Sequence, residues 1–152
     1  MKPVRVRQLF ELPASFEVLA AASERDGFEF IRRLEREWHS RQNRFARPGE
    51  RLLGAEAGGQ LVAVGGLNRD HYLDDPRVGR VRHVYVLPEW RNVGVGALIV
   101  RALLDAGRES FDRIRLRAAS TRSDTFYARL GFQKVEAETG ATHALLCSRS
   151  SN

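Results

Sequence analysis

The sequence has few cysteines, few lysines and no long apolar run. Cys147 is the only cysteine among 152 residues, which excludes an intrachain disulfide and a cysteine-based zinc cluster. No apolar run exceeds about eight residues, too few to span a bilayer, so we expect no membrane partner. The N-terminal segment alternates charge with valine and lacks the apolar core of a secretory signal. We therefore expect a protein of the cytoplasm.

The rest of the composition is that of a folded domain. Hydrophobic residues make up 43% of the chain and charged residues 29%, so a core can form and disorder throughout is excluded. The length fits one domain of ordinary size. We predict a single domain over residues 1–152, with a polar tail from about residue 148.

Positive charge is concentrated in the second half of the chain. Residues 1–76 are neutral overall, whereas residues 77–152 hold the whole net charge of +6. Only two of the 25 basic residues are lysines. A local positive field of this kind favours a polyanionic partner, either nucleic acid or a phosphate-bearing small molecule.

The apolar periodicity predicts strands and helices in the order β α α β β β α β α β β. A meander followed by a strand–helix–strand crossover, which should be parallel and right-handed, predicts an α/β sheet of mixed direction. Strands are expected near residues 4–9, 51–56, 60–67, 80–87, 113–118 and 143–147. Helices are expected from about Phe16, from Asp26 to Ser40, from Gly94 to Arg108, and from Ser120 to Leu130.

One strand–turn–helix segment has the geometry of an anion site. Residues 88–98 join a buried strand to the most regular helix, and they include Arg91, Gly94 and Gly96. The missing side chains let an anion reach the N–H groups of the helix start, where the helix dipole adds about half a positive charge. The nucleoside triphosphate loop and the dinucleotide fingerprint do not fit this spacing. The alternative is a glycine turn that serves close strand–helix packing.

Two segments resemble the signatures of the GNAT superfamily of acyl-CoA-dependent N-acyltransferases. Residues 84–97 are similar to its buried strand, proline turn and R/Q-x-x-G-x-G/A helix start. Residues 126–132 resemble its F-Y-x-x-x-G-F segment and lie about 35 residues downstream, across one helix and one strand. The resemblance implies an α/β (α+β) fold. Its sheet would be mixed but mostly antiparallel, with about seven strands flanked by about four helices and a V-shaped splay between the fourth and fifth strands.

The resemblance also implies that acetyl-CoA is the co-substrate and that no metal is needed. The backbone at Val84 and Val86 would meet the pantetheine amides. Amide groups at the start of the third helix would hold the pyrophosphate, beside Arg91; the residues implied there are Asn92, Val93, Gly94, Gly96 and Ala97. Many relatives place an asparagine before the last helix, where this chain has Ser120 or Thr121. The hydroxyl of Ser120 is expected to replace part of that contact.

Tyr127 matches the tyrosine that faces the cofactor sulfur in this family, where it is proposed to protonate the departing thiolate. Proton transfer from a phenol of pKa near 10 to a thiolate whose acid is near 8.5 is uphill by about 2 kcal/mol. A hydrogen bond without full transfer is the alternative. Tyr127 packed simply as a core aromatic is the other interpretation.

The acceptor amine must lose a proton before it attacks. We predict His83 as the base, because an ordinary histidine pKa near 6.5 suits this task. A structural role for His83, or water relaying the proton, stays open. The other candidates are His71, Glu56, Glu89, Asp74 and Asp75.

The resemblance places the acceptor pocket between the first two helices, their connection and the loop before the fourth strand. Asp74 and Asp75 could receive a cationic amine there, and arginines could bind a substrate carboxylate. A solvated charged face is the alternative. The residues available are Trp38, His39, Arg41, Arg44, Phe45, Arg47, His71, Tyr72, Asp74 and Asp75.

These observations predict an N-acetyltransferase that moves an acetyl group from acetyl-CoA to a primary amine of a small-molecule or peptide acceptor by direct attack. The alternative is a non-catalytic acyl-CoA-binding or sensor domain on the same fold. Nucleic acid is not expected as a partner, because no helix-turn-helix, zinc finger or basic helix interleaved with aromatics is present. Exposed edge strands near the C-terminus make a homodimer possible.

Overall fold

The structure of the protein is a computed structural model that describes residues 2–147. It contains seven strands, four α-helices and a short 3₁₀ turn at Pro88–Trp90 among these residues. The strands are β1 (Val4–Gln8), β2 (Arg51–Ala57), β3 (Gln60–Arg69), β4 (Val78–Val86), β5 (Arg113–Leu116), β6 (Gln133–Lys134) and β7 (His143–Leu146). The helices are α1 (Phe16–Arg25), α2 (Phe30–His39), α3 (Val95–Gly107) and α4 (Thr121–Arg129).

All seven strands form one sheet in the order β1-β2-β3-β4-β5-β7-β6. Every neighbouring pair is antiparallel except β4 and β5, which are parallel and joined through α3. A parallel pair needs such a crossover, and a helix of 13 residues supplies it. The predicted mixed, mostly antiparallel sheet with four helices is confirmed.

The helices cover both faces of the sheet. Two adjacent glycines in β3 allow close packing against the sheet. A Cβ on Gly65 would lie 2.6 Å from Ile99 of α3, and one on Gly66 would lie 2.6 Å from Phe45. Because successive strand residues point to opposite faces, α3 packs on one face and the segment after α2 on the other. The core, including Ile99 and Leu103, is buried between these layers.

The sheet opens between β4 and β5. Only three residues of β4 pair with β5, and the last pair is Arg80 with Arg115. Residues 81–86 of β4 therefore continue without a partner strand on that side, which confirms the predicted splay. On the other side, the pairing of β4 with β3 shifts register where His83 and Val84 lie opposite Gly65, so β4 contains a bulge there.

Two element boundaries differ from the expectation. Helix α2 begins at Phe30, not at Asp26, because Asp26 caps the C-terminus of α1 and Gly27 follows with φ of 86°. The β3–β4 hairpin extends to Arg69 and restarts at Val78, so the connecting loop is shorter than the sequence suggested. The predicted polar tail from about residue 148 lies outside the described residues.

Among residues 2–147, no helix is long and apolar enough to cross a membrane. The two edges of the sheet are β1 and β6. Strand β6 is only two residues long, so the C-terminal edge offers little backbone for pairing with a second copy.

Candidate functional site

The turn before α3 directs backbone amides toward solvent. Asn92 has φ of 63° and Gly94, the N-cap of α3, has φ of 89°. The first hydrogen bond of the helix runs from Leu98 N–H to the Gly94 carbonyl at 3.0 Å. The amides that precede Leu98 in this first turn therefore lack intrahelical acceptors. They include those of Val93, Gly94, Gly96 and Ala97, the residues predicted to hold a pyrophosphate.

Space at this turn is open on one side and closed on the other. A Cβ on Gly94 would meet no atom within 4 Å, whereas one on Gly96 would lie 3.3 Å from Phe126 and 3.6 Å from Val86. Gly96 thus allows the start of α3 to pack against both α4 and the end of β4. The three elements predicted to bind the cofactor meet at this point.

Val84 and Val86 lie on the free edge of β4 and are half-buried. Leu87 N–H donates to the Val62 carbonyl at 2.9 Å. Because ladder bonds alternate along an antiparallel strand, the N–H and carbonyl of Val86 point away from β3, toward the splay. A donor is therefore present where the sequence placed the pantetheine arm.

Arg91 does not point freely toward the turn of α3. Its Nε donates to the Val86 carbonyl at 2.9 Å, and its Nη2 lies 2.7 Å from Asp26 Oδ2. The guanidinium also lies 5.3 Å from the Tyr85 ring centroid. Tyr85 donates its hydroxyl hydrogen to the same Asp26 oxygen at 2.7 Å. Arg91 thus joins the end of β4 to the α1–α2 corner. The hydrogen bonds from Arg91 and Tyr85 lower the pKa of Asp26. Burial, together with the bond to Asp26, raises the pKa of Tyr85 to about 12.

Tyr127 lies in an aromatic cluster on α4. Its ring centroid is 4.9 Å from that of Phe126, 5.7 Å from that of Phe132 and 6.2 Å from that of His143. Burial raises the pKa of the phenol to about 12. The side chain is half-buried, so its packing and its predicted contact with the thiolate are compatible.

Ser120 already has a structural role. As the N-cap of α4, its hydroxyl accepts a hydrogen bond from Ser123 N–H at 3.3 Å. The side chain is exposed. A hydroxyl can accept and donate at once, so the predicted cofactor contact stays a prediction.

His83 occupies the bulge of β4 with φ of 59°. The bulge turns its ring toward Phe30 and Phe45, whose centroids lie 6.3 and 6.4 Å away, on the face that Arg82 and Tyr85 also share. Burial, helped by the charges of Arg82 and Arg33, lowers its pKa to about 3.

Among the described residues, neither ring nitrogen of His83 has a hydrogen-bond partner, although the nearby Phe30 backbone favours the protonated ring slightly. The ring is neutral at pH 7. A buried imidazole with so low a pKa is a weak base. Its assignment as the general base stays a prediction, and this geometry favours the alternatives of a structural histidine and a water relay.

The predicted acceptor residues separate into three groups. Trp38 is a core residue, only 3% exposed. His39, Tyr72, Asp74 and Asp75 are exposed and lie outside the cleft next to α2, which has a volume of about 730 Å³. The cleft instead collects Arg41, Gln42, Asn43, Arg44, Phe45, Ala46 and Arg47 from the α2–β2 connection, together with His71 and Arg82.

Sequence reasoning missed two acidic residues that organise the site. Asp26, expected at the start of the second helix, binds Tyr85 and Arg91 with its side chain. Asp70, which lies between the expected third and fourth strands, is 4% exposed and lies 3.0 Å from Arg115 and 3.6 Å from Arg80. Helical or strand periodicity carries no signal for these contacts, because Asp26 binds residues 59 and 65 positions away and Asp70 binds one 45 positions away.

A second hollow, of about 450 Å³, lies at the far end of the β2–β3 hairpin and is mostly apolar. Within residues 2–147, no group of three or more His, Cys, Asp or Glu side chains is arranged to hold a metal ion. Cys147 is half-buried, and burial raises the pKa of its thiol. The hollow is lined in part by Glu89 and Trp90 of the 3₁₀ turn, but not by Asn92, Val93, Gly94 or Gly96.

Comparison with known proteins gives a consistent result. Residues 13–132 match the model of the acetyltransferase (GNAT) family. The chain is similar to a protein from Exiguobacterium sp. 255-15 assigned as an acetyltransferase, with 31% identity, a TM-score of 0.83 and coverage of 95% of this chain and 93% of that one.

Two further solved structures share the fold at lower identity. A GNAT-family acetyltransferase from Staphylococcus aureus Mu50 has 12% identity and a TM-score of 0.76, with 96% of this chain and 100% of that one covered. A GNAT-family N-acetyltransferase from Escherichia coli in complex with CoA has 17% identity and a TM-score of 0.71, with 97% and 83% covered.

Proposed function

This chain belongs to the GNAT family of acetyltransferases, and on that premise we propose that it transfers an acetyl group from acetyl-CoA to a primary amine by direct attack. The acceptor is a small molecule or a peptide, and the reaction takes place in the cytoplasm. The observation that carries the proposal is the meeting of three elements at Gly96: the start of α3, the end of β4 with its free edge, and Phe126 of α4, the helix that also holds Tyr127.

The residues present fit a coenzyme A thioester. Positive φ angles at Asn92 and Gly94 turn successive amides outward, and the open space at Gly94 leaves room for phosphate oxygens. The helix dipole of α3 favours the negative charge. We assign the diphosphate to the amides of Val93, Gly94, Gly96 and Ala97, and the amide-bearing arm to the edge of β4 at Val84 and Val86. The E. coli structure with CoA supports this assignment by its shared fold.

The reaction forms a C–N bond and breaks a C–S bond. The neutral amine attacks the thioester carbonyl, and negative charge develops on the carbonyl oxygen. The Val86 N–H, which points toward the splay, is our candidate donor to that oxygen. The attacking nitrogen then loses its proton to the general base, either water or His83, and the thiolate departs. Holding both reactants in one gap contributes much of the rate.

Tyr127 assists the departing thiolate as a hydrogen-bond donor in this proposal. With a pKa of about 12, full transfer of its proton to a thiolate whose acid is near 8.5 would be uphill by about 5 kcal/mol. That is larger than the value expected for an ordinary phenol, so burial argues against complete transfer before the C–S bond breaks. A hydrogen bond that strengthens as charge develops on sulfur avoids this cost.

The test measures thiol release from acetyl-CoA over a panel of amines, together with calorimetric binding of CoA. We expect Tyr127→Phe to lower kcat by about 10–100-fold and to change the Kd for CoA by less than about 2-fold. Replacing Gly94 by valine should do the reverse and weaken CoA binding, because valine rarely adopts a φ of 89°. Absence of any heat with CoA would overturn the proposal.

A non-catalytic acyl-CoA sensor on the same fold is the second candidate. The burial of the two predicted catalytic side chains favours it, since His83 has a pKa of about 3 and Tyr127 one of about 12. Tight CoA binding without thiol release for any amine would support this alternative. The proposed homodimer is a separate question that sedimentation of the purified chain would answer.

A further inference from the structure

The cleft beside α2 has an excess of positive charge. Its volume is about 730 Å³, and it lies between α2, the α2–β2 connection and the neighbouring ends of β3 and β4. Only two carboxylates line it, those of Glu37 and Glu50. Six arginines line the same space: Arg33, Arg41, Arg44, Arg47, Arg69 and Arg82.

The two carboxylates balance only part of the charge of the six arginines. Glu50 uses both oxygens on backbone amides, accepting from Arg47 N–H at 3.1 Å and from Arg69 N–H at 2.9 Å. Glu37 forms no ion pair within 4 Å in the part of the chain that the structure describes. The positive charge of the cleft is therefore available to a ligand.

Arg82 is the arginine that is most enclosed in this cleft. It is half-buried on β4, and its one hydrogen bond among the described residues is to Asn68 Oδ1 at 3.3 Å, a neutral acceptor. That oxygen also accepts from Asn43 at 3.0 Å, which fixes the orientation of the amide. Burial lowers the pKa of Arg82 and the charge of Arg33 adds to this effect, while the charges of Glu37 and Glu50, which are not in direct contact with it, oppose it.

A half-buried guanidinium without a carboxylate is unfavourable unless a ligand brings a negative charge. Arg82 has four donors left after its bond to Asn68, and a guanidinium binds planar or tetrahedral oxyanions through two parallel hydrogen bonds. The side chain is therefore suited to a carboxylate or a phosphate.

The position of Arg82 connects the cleft to the proposed reaction site. It precedes Val84 by two residues and Val86 by four on β4. At about 3.3 Å per residue, the distances along the strand are about 7 and 13 Å. If an acceptor were bound by its oxyanion at Arg82, an amine a few bonds away in the same molecule would reach the splay between β4 and β5.

We propose that this cleft binds the acceptor by an oxyanion, a carboxylate or a phosphate, that the acceptor carries a few bonds from its amine. The inference rests on the proposed acetyl transfer and names the substrate class for it. Arg82 is the central ligand, and Arg69 and Arg33 add charge at the rim. The acidic residues Asp74 and Asp75, expected to attract a cationic amine, lie outside this cleft.

The first experiment compares acceptors that differ only in the oxyanion. L-amino acids are assayed against their C-terminal amides, and O-phosphoethanolamine against ethanolamine, with rates corrected for the fraction of neutral amine. We expect kcat/KM to be about 10–100-fold higher for the anionic member of at least one pair. The pair with the larger ratio distinguishes carboxylate from phosphate.

Variants then test which arginine causes the preference for anionic acceptors. Arg82→Gln should lower kcat/KM for the preferred anionic acceptor by about 10–100-fold and for its neutral partner by less than about 3-fold. Arg69→Gln should lower the same preference by a few fold. Arg101→Gln removes an equal charge from an exposed site on α3 and should leave both values unchanged. Equal use of anionic and neutral amines would overturn the inference while acetyl transfer itself stands.

A binding measurement does not depend on turnover. Orthophosphate and succinate are titrated into the protein with saturating CoA, so that the turn before α3 is already filled. We expect one of them to bind the wild type at least about 5-fold more tightly than Arg82→Gln. Equal affinities would overturn the inference. If no amine is acetylated but Arg82-dependent binding persists, the proposed transfer fails and the oxyanion cleft stands.

Discussion

The polar side chains at the two ends of β4 differ in whether they have a charged partner. At the end that pairs with β5, Arg115 donates to Asp70 at 3.0 Å and to Glu138 at 3.1 Å. Arg80 Nη1 lies 3.6 Å from the same Asp70 oxygen, an ion pair without a hydrogen bond among the described residues. Beyond this point the pairing with β5 stops, and Arg82 and His83 have no charged partner among the described residues. Arg80 and Arg82 are the same residue type on the same face of one strand, two positions apart.

The difference distinguishes an arginine that stabilises the fold from an arginine that is available to bind a ligand. A buried charge that is paired holds the parallel strands together at the base of the splay, and losing its partner is costly. A half-buried charge without a partner lowers stability, so its presence indicates a site that an external group completes.

The largest effect is expected at the base of the splay. Asp70→Asn removes the negative charge between Arg80 and Arg115, which are 6% and 1% exposed. Because two buried guanidinium groups then lose a partner, we expect a loss of about 3–5 kcal/mol in the free energy of unfolding, measured by urea denaturation. Asp74→Asn, in the exposed part of the same loop, is the control and should change stability by less than about 0.5 kcal/mol. Similar losses for both variants would contradict the role of Asp70.

The second effect depends on pH and concerns the bulge. The pKa of His83 is lowered to about 3, so the folded protein binds fewer protons than the unfolded chain between pH 6.5 and 3. Stability contributed by the neutral ring is present above pH 6.5 and is lost as the pH falls through this range. At pH 4.5 the loss attributable to His83 should be about 2–3 kcal/mol.

His83→Phe removes this titration and keeps an aromatic ring against Phe30 and Phe45. The difference in unfolding free energy between wild type and variant should therefore change by about 2–3 kcal/mol between pH 7.5 and pH 4.5, in favour of the variant at low pH. Other acid-sensitive groups are common to both proteins and cancel. A pH-independent difference would show that His83 has an ordinary pKa and a reachable partner.

A smaller effect is expected where Arg91 bridges the end of β4 to Asp26. This pair is partly exposed, with 41% of the Arg91 side chain and 28% of the Asp26 side chain accessible. A double-mutant cycle with Asp26→Asn and Arg91→Met should give a coupling free energy of about 0.5–1 kcal/mol that decreases in 1 M NaCl. A coupling above about 2 kcal/mol would mean that this end of β4 is also held by a strong charge pair.

The smallest effect is expected for Arg82→Met. It removes a half-buried charge whose one hydrogen bond among the described residues is to a neutral amide, and methionine keeps a similar apolar stem. We expect the free energy of unfolding to change by less than about 0.5 kcal/mol or to increase slightly, in contrast to Asp70→Asn. A loss of more than about 2 kcal/mol would show that Arg82 supports the fold in the same way as Arg80.

Much of the fold could be predicted from local patterns. Alternation predicted β1, the glycine turn at residues 57–59 predicted the β2–β3 hairpin, and the helical period of Val95, Ile99 and Leu103 predicted α3. The start of α2 could not be predicted, because Asp26 is a common N-cap residue whose side chain is used elsewhere. Likewise, the glycine spacing predicted the turn with outward amides before α3, whereas it did not predict the bonds of Arg91 to Asp26 and Val86.

The sequence by itself determined the order of elements, the position of the turn before α3 and the family to which the chain belongs, since these depend on residues close together along the chain. Only the tertiary structure decided which arginines are paired. Asp70 and Arg115 are 45 positions apart, a separation that helical or strand periodicity does not relate. The bulge at His83 sets the face of the sheet on which each later side chain of β4 lies. Charge pairing depends on distances in space, and those exist only once the sheet has formed.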